Sequence, residues 1–242
     1  MTLSIAHRGD PYAHPENTLP AVLAAAGQGA DMVEIDLRLT KDCEVVLLHD
    51  STLRQVWGRD VRLSELTLDE VRTIRVRSYQ VPTFAEVLSA VSAPLMVDLP
   101  ESAAAVHAAE LVTRHRALAR CLFVTSDVEA LLRIRELAPK ARIGLTWAER
   151  ELPDPAVLKA LSAEFFNPAW EVLALHEDII WRMHDDGYQV STWTVDSPTN
   201  MARLLGTGVD AVVTNRLPFL VDLLGRDCAA GLPERRSVDA TC

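Results

Sequence analysis

Long apolar runs and clustered cysteines are both missing from this 242-residue sequence. No stretch approaches the roughly 18 consecutive apolar residues that cross a membrane, so no transmembrane segment is predicted. The four cysteines lie far apart and form no CxxC pair, which argues against a zinc finger and favours free thiols in a reducing compartment. Because the N-terminus also lacks the basic and apolar segments of a signal peptide, we expect a cytoplasmic protein.

Basic residues are also fewer than acidic residues in this sequence. The chain has 24 basic and 34 acidic residues, which gives a formal net charge of −10. An acidic chain binds nucleic acid poorly, because phosphate backbones require clustered lysine and arginine, and anionic membrane surfaces repel it. The composition therefore argues against these partners without naming a function, and it carries no prediction about the oligomeric state.

The sequence does contain a regular alternation of short β-rich runs and amphipathic helical segments. The helical segments carry apolar residues at i, i+3 and i+4, and several begin after Thr, Ser or Asp. This alternation predicts a parallel sheet covered by helices. The nine strand-like runs span residues 3–6, 31–37, 44–50, 93–100, 121–127, 141–147, 164–168, 188–195 and 210–215.

The second and third of these runs are predicted to form a hairpin. About six residues, 38–43, separate them, whereas a parallel crossover needs roughly a dozen. Without the return strand, eight βα units remain, so we predict a (β/α)8 TIM barrel with a β-hairpin extension after strand 2. A turn near residues 41–42 sets residues whose numbers sum to about 83 opposite each other, which places His49 roughly across from Glu34.

Polar residues gather at the C-terminal ends of the predicted strands, where TIM barrels have their active sites. Side chains alternate along a strand, so Glu34 and Asp36 project to the same face. Asp98 on the next barrel strand adds a third carboxylate, and carboxylates without cysteine suit a hard divalent cation, Mg²⁺ or Ca²⁺. Such a cluster is costly to bury unless a metal or an anionic ligand compensates the charge.

Two histidines and one arginine complete the predicted cluster. His7 and Arg8 follow the first strand, and His49 comes from the hairpin. One histidine can remove a proton at a phosphate ester while the other donates a proton to the leaving oxygen. A metal and the Arg8 guanidinium would stabilise the charge that develops on the phosphorus-bound oxygens. These residue types therefore predict acid–base chemistry at a phosphate ester.

Short motifs with these residues follow one another in a specific order. They are His7-Arg8-Gly9, Pro15-Glu16-Asn17-Thr18, Glu34-Ile35-Asp36 with Thr40-Lys41-Asp42, His49-Asp50, Trp193-Thr194-Val195-Asp196, Gly208-Val209-Asp210 and Val213-Thr214-Asn215-Arg216. In this order the motifs resemble the pattern of the glycerophosphodiester phosphodiesterase family, within the phospholipase C-like phosphodiesterase superfamily. The resemblance covers residues 4–222.

The resemblance implies a metal-dependent phosphodiesterase. Such an enzyme hydrolyses a small glycerophosphodiester to an alcohol and glycerol 3-phosphate, through a cyclic phosphate formed by the neighbouring glycerol hydroxyl. That hydroxyl is already tethered to the phosphorus, so its attack is effectively unimolecular. The roles implied are the acid–base pair His7 and His49, the phosphate-binding Arg8, and the metal ligands Glu34, Asp36 and Asp98 for Mg²⁺ or Ca²⁺.

Two further residues are candidates for substrate binding, each with a structural alternative. Glu16 is a candidate for a direct or water-mediated contact, and the alternative is charge stabilisation of the N-terminus of its helix. Trp193 is a candidate substrate contact, and the alternative is packing in the barrel.

Two departures from the family pattern leave alternative functions open. The family has Glu and then, two residues later, Lys on the third barrel strand, whereas this chain has Asp98 and Pro100. The segment between His49 and Asp98 is short, so we expect little room for a lid. The alternatives are a phospholipase D-like lysolipid phosphodiesterase, which also resembles this chain at Asp98, and a catalytically impaired phosphate-binding barrel. The aromatic content of 5% gives no support to an exposed apolar rim for a lipid tail.

We expect residues 1–226 to form a single domain. The tail 227–242 has no periodic apolar residues and is predicted to be disordered. Cys43 stands where the hairpin turn of the family often has glycine, so local backbone strain is predicted there.

Overall fold

The computed structural model of the chain describes residues 1–176 and 178–225. Within these residues, parallel strands close into a barrel and helices cover its outside. In chain order the strands are β1 (Leu3–Ala6), β2 (Met32–Leu39), β3 (Val45–Leu47), β4 (Arg75–Val76), β5 (Tyr79–Gln80), β6 (Leu95–Asp98), β7 (Cys121–Thr125), β8 (Arg142–Trp147), β9 (Phe165–Pro168), β10 (Gln189–Thr192) and β11 (Ala211–Thr214).

Eight of the described strands form the barrel wall. Their order is β1, β2, β6, β7, β8, β9, β10 and β11, each parallel to the next, and β11 pairs with β1 to close the ring. Strand β3 runs antiparallel to the end of β2, and β4 pairs with β5 in a separate two-stranded ribbon. The predicted (β/α)8 TIM barrel with a β-hairpin extension after strand 2 is therefore confirmed.

The register of the hairpin differs by one residue from the prediction. Leu37 pairs with Leu47, so the numbers of paired residues sum to 84, against the predicted sum of about 83, and the predicted position of His49, roughly across from Glu34, shifts by one residue. The physical reason lies in the turn, where Cys43 takes a left-handed backbone conformation with a φ of 62°. A three-residue loop that ends in a left-handed residue is a common hairpin connection. Such a conformation carries the strain predicted for a residue other than glycine.

The helices alternate with the barrel strands, and two of them begin at a capping box. At the start of α3 and of α4 a threonine side chain accepts the backbone N–H of a glutamate whose carboxylate accepts the threonine N–H. The helices are α1 (Leu19–Gly27), α2 (Arg54–Trp57), α3 (Leu68–Thr73), α4 (Phe84–Ala90), α5 (Ala104–Arg114), α6 (Val128–Leu137), α7 (Pro155–Leu161), α8 (Trp170–Leu175), α9 (Ile179–Asp185), α10 (Pro198–Leu205) and α11 (Leu217–Leu223).

Apolar side chains form layers on both sides of the barrel wall. The larger layer lies between the wall and the helices, and a smaller one fills the barrel interior as an apolar floor. Because side chains alternate along each strand, the residue two positions after a floor residue also faces the interior, nearer the C-terminal end. The floor residues are Ile5, Met32, Met96, Leu122, Val124, Phe165, Ala211 and Val213. Counting two residues on from the first three reaches His7, Glu34 and Asp98.

Residues 51–82 fold into a small layer that packs around an apolar cluster, whereas the short segment between His49 and Asp98 predicts little room for a lid. This layer contains α2, α3 and the β4–β5 ribbon. The Tyr79 hydroxyl on β5 lies 3.0 Å from His14 Nδ1, so the layer contacts the loop that follows β1. The buried members of its cluster are Val46, Leu48, Leu53, Trp57, Leu63, Val71 and Val81.

Several predictions concern cysteines, membrane segments and the chain terminus. Cys43 is exposed, Cys121 is buried, and both are free thiols. No helix in the described part of the chain is both long enough and apolar enough to cross a membrane. Cys228, Cys242 and the predicted tail 227–242 lie outside the described residues, and the single-domain boundary at residue 226 stays a prediction.

Gly9 and Gly29 provide a matched test of the packing between the loop after β1 and helix α1. Both have a φ of +88°, but a Cβ on Gly9 would lie 2.5 Å from the Ala21 carbonyl carbon, whereas one on Gly29 would meet nothing within 4 Å. Gly29→Ala should lower the free energy of unfolding by about 1–2 kcal/mol, the cost of a left-handed backbone. Gly9→Ala should lower it by roughly 1–3 kcal/mol more, because the methyl group overpacks the helix.

Urea denaturation of the two variants measures the difference. Equal losses of stability would contradict the close approach of Gly9 to α1.

Candidate active site

A cavity opens at the C-terminal ends of the barrel strands, above the apolar floor. Its volume of about 130 Å³ is a few times the roughly 30 Å³ that one water molecule occupies in the liquid. This open cavity therefore has room for a small polar group such as a phosphate. The lining residues are His7, Arg8, Glu34, Asp36, His49, Met96, Asp98, Val124, Thr146, Asn167, Trp193, Thr194 and Val213.

Three carboxylates converge in this cavity. Glu34 and Asp36 lie on the same face of β2, and the strand register places Asp98 of β6 level with Asp36. Each of the three offers an oxygen, and these oxygens all lie within 4.8 Å of one another. Glu34 is 5% exposed and Asp36 is 1% exposed, so water screens their repulsion poorly.

The pKa values of the carboxylates reflect this crowding. Burial, and then the charges of Asp36 and Asp98, raise the pKa of Glu34 well above its ordinary value. Burial, and then the charge of Asp36, raise the pKa of Asp98 to about 7. A divalent cation would replace this repulsion by attraction, and an all-oxygen donor set suits Mg²⁺ or Ca²⁺. The residues present therefore fit the predicted metal site.

His7 is held by a chain of hydrogen bonds across the closure of the barrel. Its Nδ1 lies 2.8 Å from Asn215 Oδ1, and Asn215 donates from Nδ2 and from its backbone N–H to Asp196 at 2.7 and 2.8 Å. Because these bonds turn the Asn215 carbonyl oxygen towards His7, the imidazole must carry its proton on Nδ1. Nε2 is then left as a proton acceptor. Burial, and then the positive charge of Arg8, lower the pKa of His7 below 6.5.

His49 has a different environment from His7. It lies beyond the last pair of the β2–β3 ladder, and its side chain is 40% exposed. Nδ1 of His49 lies 2.8 Å from Asp50 Oδ1. The carboxylate accepts the hydrogen bond from Nδ1 and so again leaves Nε2 for chemistry. One histidine of the cavity is thus partly buried and bonded to an amide, and the other is 40% exposed beside a carboxylate.

Arg8 is enclosed by acidic side chains. Its Nη1 donates to Glu16 Oε1 at 2.9 Å, and its backbone N–H donates to Glu34 Oε2 at 2.9 Å. Nε lies 3.1 Å from Asp36 Oδ2, but the N–H is not directed at that oxygen. Nε therefore belongs to an ion pair and has no hydrogen-bond partner among the described residues. Glu16 does not line the cavity and acts on it through Arg8.

Asn17 is a site residue for which the sequence suggests no separate role. Its Nδ2 donates to Asp36 Oδ2 at 2.7 Å, and its Oδ1 accepts the Asp36 backbone N–H at 3.1 Å. The side chain is buried, and a left-handed backbone with a φ of 55° directs it back to β2. Asn17 thereby fixes both the main chain and the carboxylate of Asp36. The signal in the sequence that could have identified Asn17 is its position in the Pro15-Glu16-Asn17-Thr18 motif.

Trp193 lines the cavity and is also part of the barrel packing. Its indole N–H donates to the Asn167 carbonyl oxygen at 3.0 Å, and its ring packs against the apolar floor. The polar end of the side chain is therefore used by the barrel, and the ring provides a wall of the cavity. Both alternatives for Trp193 fit this geometry, and a substrate contact stays a prediction.

The eighth predicted site residue, Glu16, lies behind Arg8. The other seven line one cavity, and they are His7, Arg8, Glu34, Asp36, His49, Asp98 and Trp193. Asn17, Asp196 and Asn215 support these residues from behind. Their roles depend on contacts between distant segments.

Sequence comparison links the chain to one family over most of its length. The model of the glycerophosphoryl diester phosphodiesterase family matches residues 7–218. A glycerophosphodiester phosphodiesterase from Caldanaerobacter subterraneus subsp. tengcongensis is 26% identical over 239 residues, which cover 92% of this chain and 98% of the relative. Glycerophosphodiester phosphodiesterase 1 of Bos taurus is 45% identical over 71 residues, 29% of this chain and 22% of that protein.

Solved structures show the same barrel. The phosphodiesterase of Oleispira antarctica, solved in complex with the product sn-glycerol-3-phosphate, has a TM-score of 0.86 at 22% identity, covering 93% of this chain and 97% of that chain. The glycerophosphodiester phosphodiesterase of Thermotoga maritima has a TM-score of 0.81 at 23% identity, covering 92% and 98%. At these identities the similarity establishes the fold.

The raised pKa of Asp98 makes the stability of the metal-free protein depend on pH. In the folded protein this carboxyl holds a proton up to about pH 7, whereas its ordinary pKa is 3.8. The folded state therefore binds more protons than the unfolded chain between these values. Its free energy of unfolding falls as the pH rises from about 4 to about 7, and Glu34 acts in the same direction.

We expect Asp98→Asn, freed of metal with EDTA, to be more stable than the parent at pH 8 and similar to it at pH 4. Urea unfolding at both pH values measures this, and Asp60→Asn, which changes an exposed carboxylate, is the control. Added Mg²⁺ or Ca²⁺ should raise the melting temperature of the parent more than that of Asp98→Asn. A metal-free Asp98→Asn less stable than the parent at pH 8 would contradict the assigned repulsion.

Proposed function

The chain belongs to the glycerophosphoryl diester phosphodiesterase family and is an enzyme of that class, and on this premise we propose that it hydrolyses small glycerophosphodiesters to an alcohol and glycerol 3-phosphate with the help of a divalent cation. The observation that carries the proposal is the convergence of three carboxylates and two differently held histidines in one cavity. The product complex of the Oleispira antarctica relative supports the same substrate class.

Glu34, Asp36 and Asp98 are the residues that would hold the cation. When bound, a divalent cation stabilises negative charge on the phosphate oxygens and offsets the repulsion among the three carboxylates. Asn17 keeps Asp36 in place through two hydrogen bonds, at its carboxylate and at its backbone N–H. Such supporting contacts orient metal ligands and tune their affinity.

His7 is suited to be the general base of the first step. Its Nδ1 proton is held by Asn215, and its lowered pKa keeps Nε2 unprotonated at neutral pH. Nε2 would accept the proton of the glycerol hydroxyl next to the phosphate. The hydroxyl oxygen would then form a bond to phosphorus, which gives a cyclic phosphate as the bond to the alcohol breaks.

His49 is suited to protonate the leaving alcohol. Its Nδ1 is engaged by Asp50, so Nε2 is the nitrogen that carries the transferable proton. In the second step the roles reverse, because His49 is then the base for water and His7 returns its proton to the glycerol oxygen. Opening of the ring gives glycerol 3-phosphate and restores both histidines to their starting states.

Arg8 is suited to bind the phosphate. Its Nε–H is buried and has no hydrogen-bond partner among the described residues, and a buried unpaired donor is costly. A phosphate oxygen in the cavity would satisfy this donor, while the ion pairs with Glu16 and Asp36 hold the guanidinium. Glu16 therefore supports substrate binding through Arg8, and the Trp193 ring would contact the substrate from the cavity wall.

Purified protein with glycerophosphocholine and either Mg²⁺ or Ca²⁺ should release choline and glycerol 3-phosphate, and EDTA should abolish the release. A parallel reaction with lysophosphatidylcholine separates the phospholipase D-like alternative, for which that substrate would be preferred. Phosphorus NMR identifies the products and detects a cyclic phosphate. No product from either diester, with metal binding intact, would instead support the impaired phosphate-binding barrel.

His7→Ala and His49→Ala should each lower kcat by about 10²–10⁴, since each removes one proton-transfer group. Their affinity for the metal, measured by calorimetry, should stay close to that of the parent because neither is a carboxylate of the metal site. His115→Ala, at the end of α5, is the matched control and should retain full activity. Near-normal turnover in either active-site variant would overturn the assigned roles.

A further inference from the structure

Arg38 is a charged residue of β2 that has no role in the proposed reaction. It follows Glu34 and Asp36 on the same face of the strand and pairs in the hairpin ladder with Val46 of β3. Its side chain is 14% exposed. It is not among the residues that line the cavity, so any effect on the reaction must pass through a neighbour.

The guanidinium of Arg38 joins two segments next to the cavity. Nε donates to the main-chain carbonyl oxygen of His49 at 2.6 Å, and Nη1 donates to Glu101 Oε2 at 3.3 Å. Glu101 lies in the loop between β6 and α5, three residues after Asp98. A rigid, planar guanidinium can hold both acceptors at once in a fixed relative position, which a flexible ammonium group does less well.

His49 depends on such an anchor because its own side chain is weakly held. The last β2–β3 hydrogen bond joins the Leu48 N–H to the Asp36 carbonyl at 3.0 Å, one residue before His49. The imidazole is 40% exposed, and Asp50, its partner, is 37% exposed. Exposed ion pairs contribute little to the order of a side chain. By contrast, the Arg38 contact is charge-assisted, short and partly buried, which makes it the stronger constraint on this residue.

We propose that Arg38 is a positioning residue for His49: its guanidinium fixes the His49 main chain between β2 and the β6–α5 loop and so keeps the imidazole within reach of the leaving alcohol. The inference rests on the proposed role of His49 as general acid. Proton transfer requires donor and acceptor within hydrogen-bond reach, and a displacement of about 1 Å can cost roughly 100-fold in rate. Arg38 thus acts on the position of a catalytic group and not on the substrate.

The test compares Arg38→Met with Arg142→Met. Arg142 is also a barrel-strand arginine paired with a glutamate, Glu164, but it lies at the N-terminal end of β8, away from the cavity. With glycerophosphocholine, Arg38→Met should lower kcat roughly 10- to 100-fold and change KM less than about threefold. Arg142→Met should leave kcat unchanged even if its melting temperature falls.

A substrate whose leaving group needs no protonation distinguishes a positioning role of Arg38 from a general loss of activity. A p-nitrophenyl ester of glycerol phosphate releases a phenolate that needs no protonation, so Arg38→Met should lose less than about threefold with this substrate. Equal losses with both esters, or an unchanged kcat with glycerophosphocholine, would overturn the proposal. If Arg38→Met fails to fold, Arg38→Lys keeps the charge but loses the planar guanidinium and should lower kcat about two- to fivefold. An unchanged kcat in Arg38→Lys would then count against the proposal.

Nitrogen NMR of the histidine rings provides a readout that does not need turnover. At a pH where the ring is neutral, His49 of the parent should show a single tautomer with its proton on Nδ1, beside Asp50, and in Arg38→Met its signals should show an average of tautomers. His49 signals identical in the two proteins would overturn the positioning role. If the parent cleaves neither ester, the proposed function fails, and these signals alone decide whether Arg38 orders His49.

Discussion

The repulsion among three carboxylates held close together at one end of the barrel is the constraint on which the rest of the site depends. Asp36 lies level with Asp98 and two residues from Glu34, in a place where water screens poorly. Asn17 and Arg8 each offset part of its charge, but the pKa values of Glu34 and Asp98 remain raised. The charge that costs stability without a metal would therefore also be the source of affinity for the proposed cation.

The two histidines reach the same cavity by opposite means. His7 is partly buried and is hydrogen-bonded through Asn215 to Asp196, a chain that links the first and last strands of the barrel. His49 comes from a hairpin outside the wall, and its ring is half-exposed. In the proposed reaction, a rigid base and an acid on a peripheral element would suit chemistry in which alcohol and water enter and leave on one side. The contact of Arg38 with the His49 carbonyl limits the freedom of that element.

Much of this arrangement could be predicted from sequence periodicity. The alternation of strands and helices and the short spacing after β2 predicted the barrel and the hairpin, and strand alternation placed Glu34 and Asp36 on one face. The hairpin register could not be predicted to the residue, because it depends on the left-handed conformation of Cys43. The layer formed by residues 51–82 was missed because its apolar residues pack against the hairpin and follow no single helical pattern.

The sequence by itself determined which chemical groups are available and at which end of the barrel they lie, because period-two alternation and strand order are local properties of the chain. Tertiary structure alone decided how each group is held: Asn17 against Asp36, Asn215 between Asp196 and His7, Arg38 against the carbonyl of His49. These partners are separated by as many as 208 residues along the chain. Their hydrogen bonds exist because barrel closure brings these segments together. A local sequence pattern does not show which distant segments will meet.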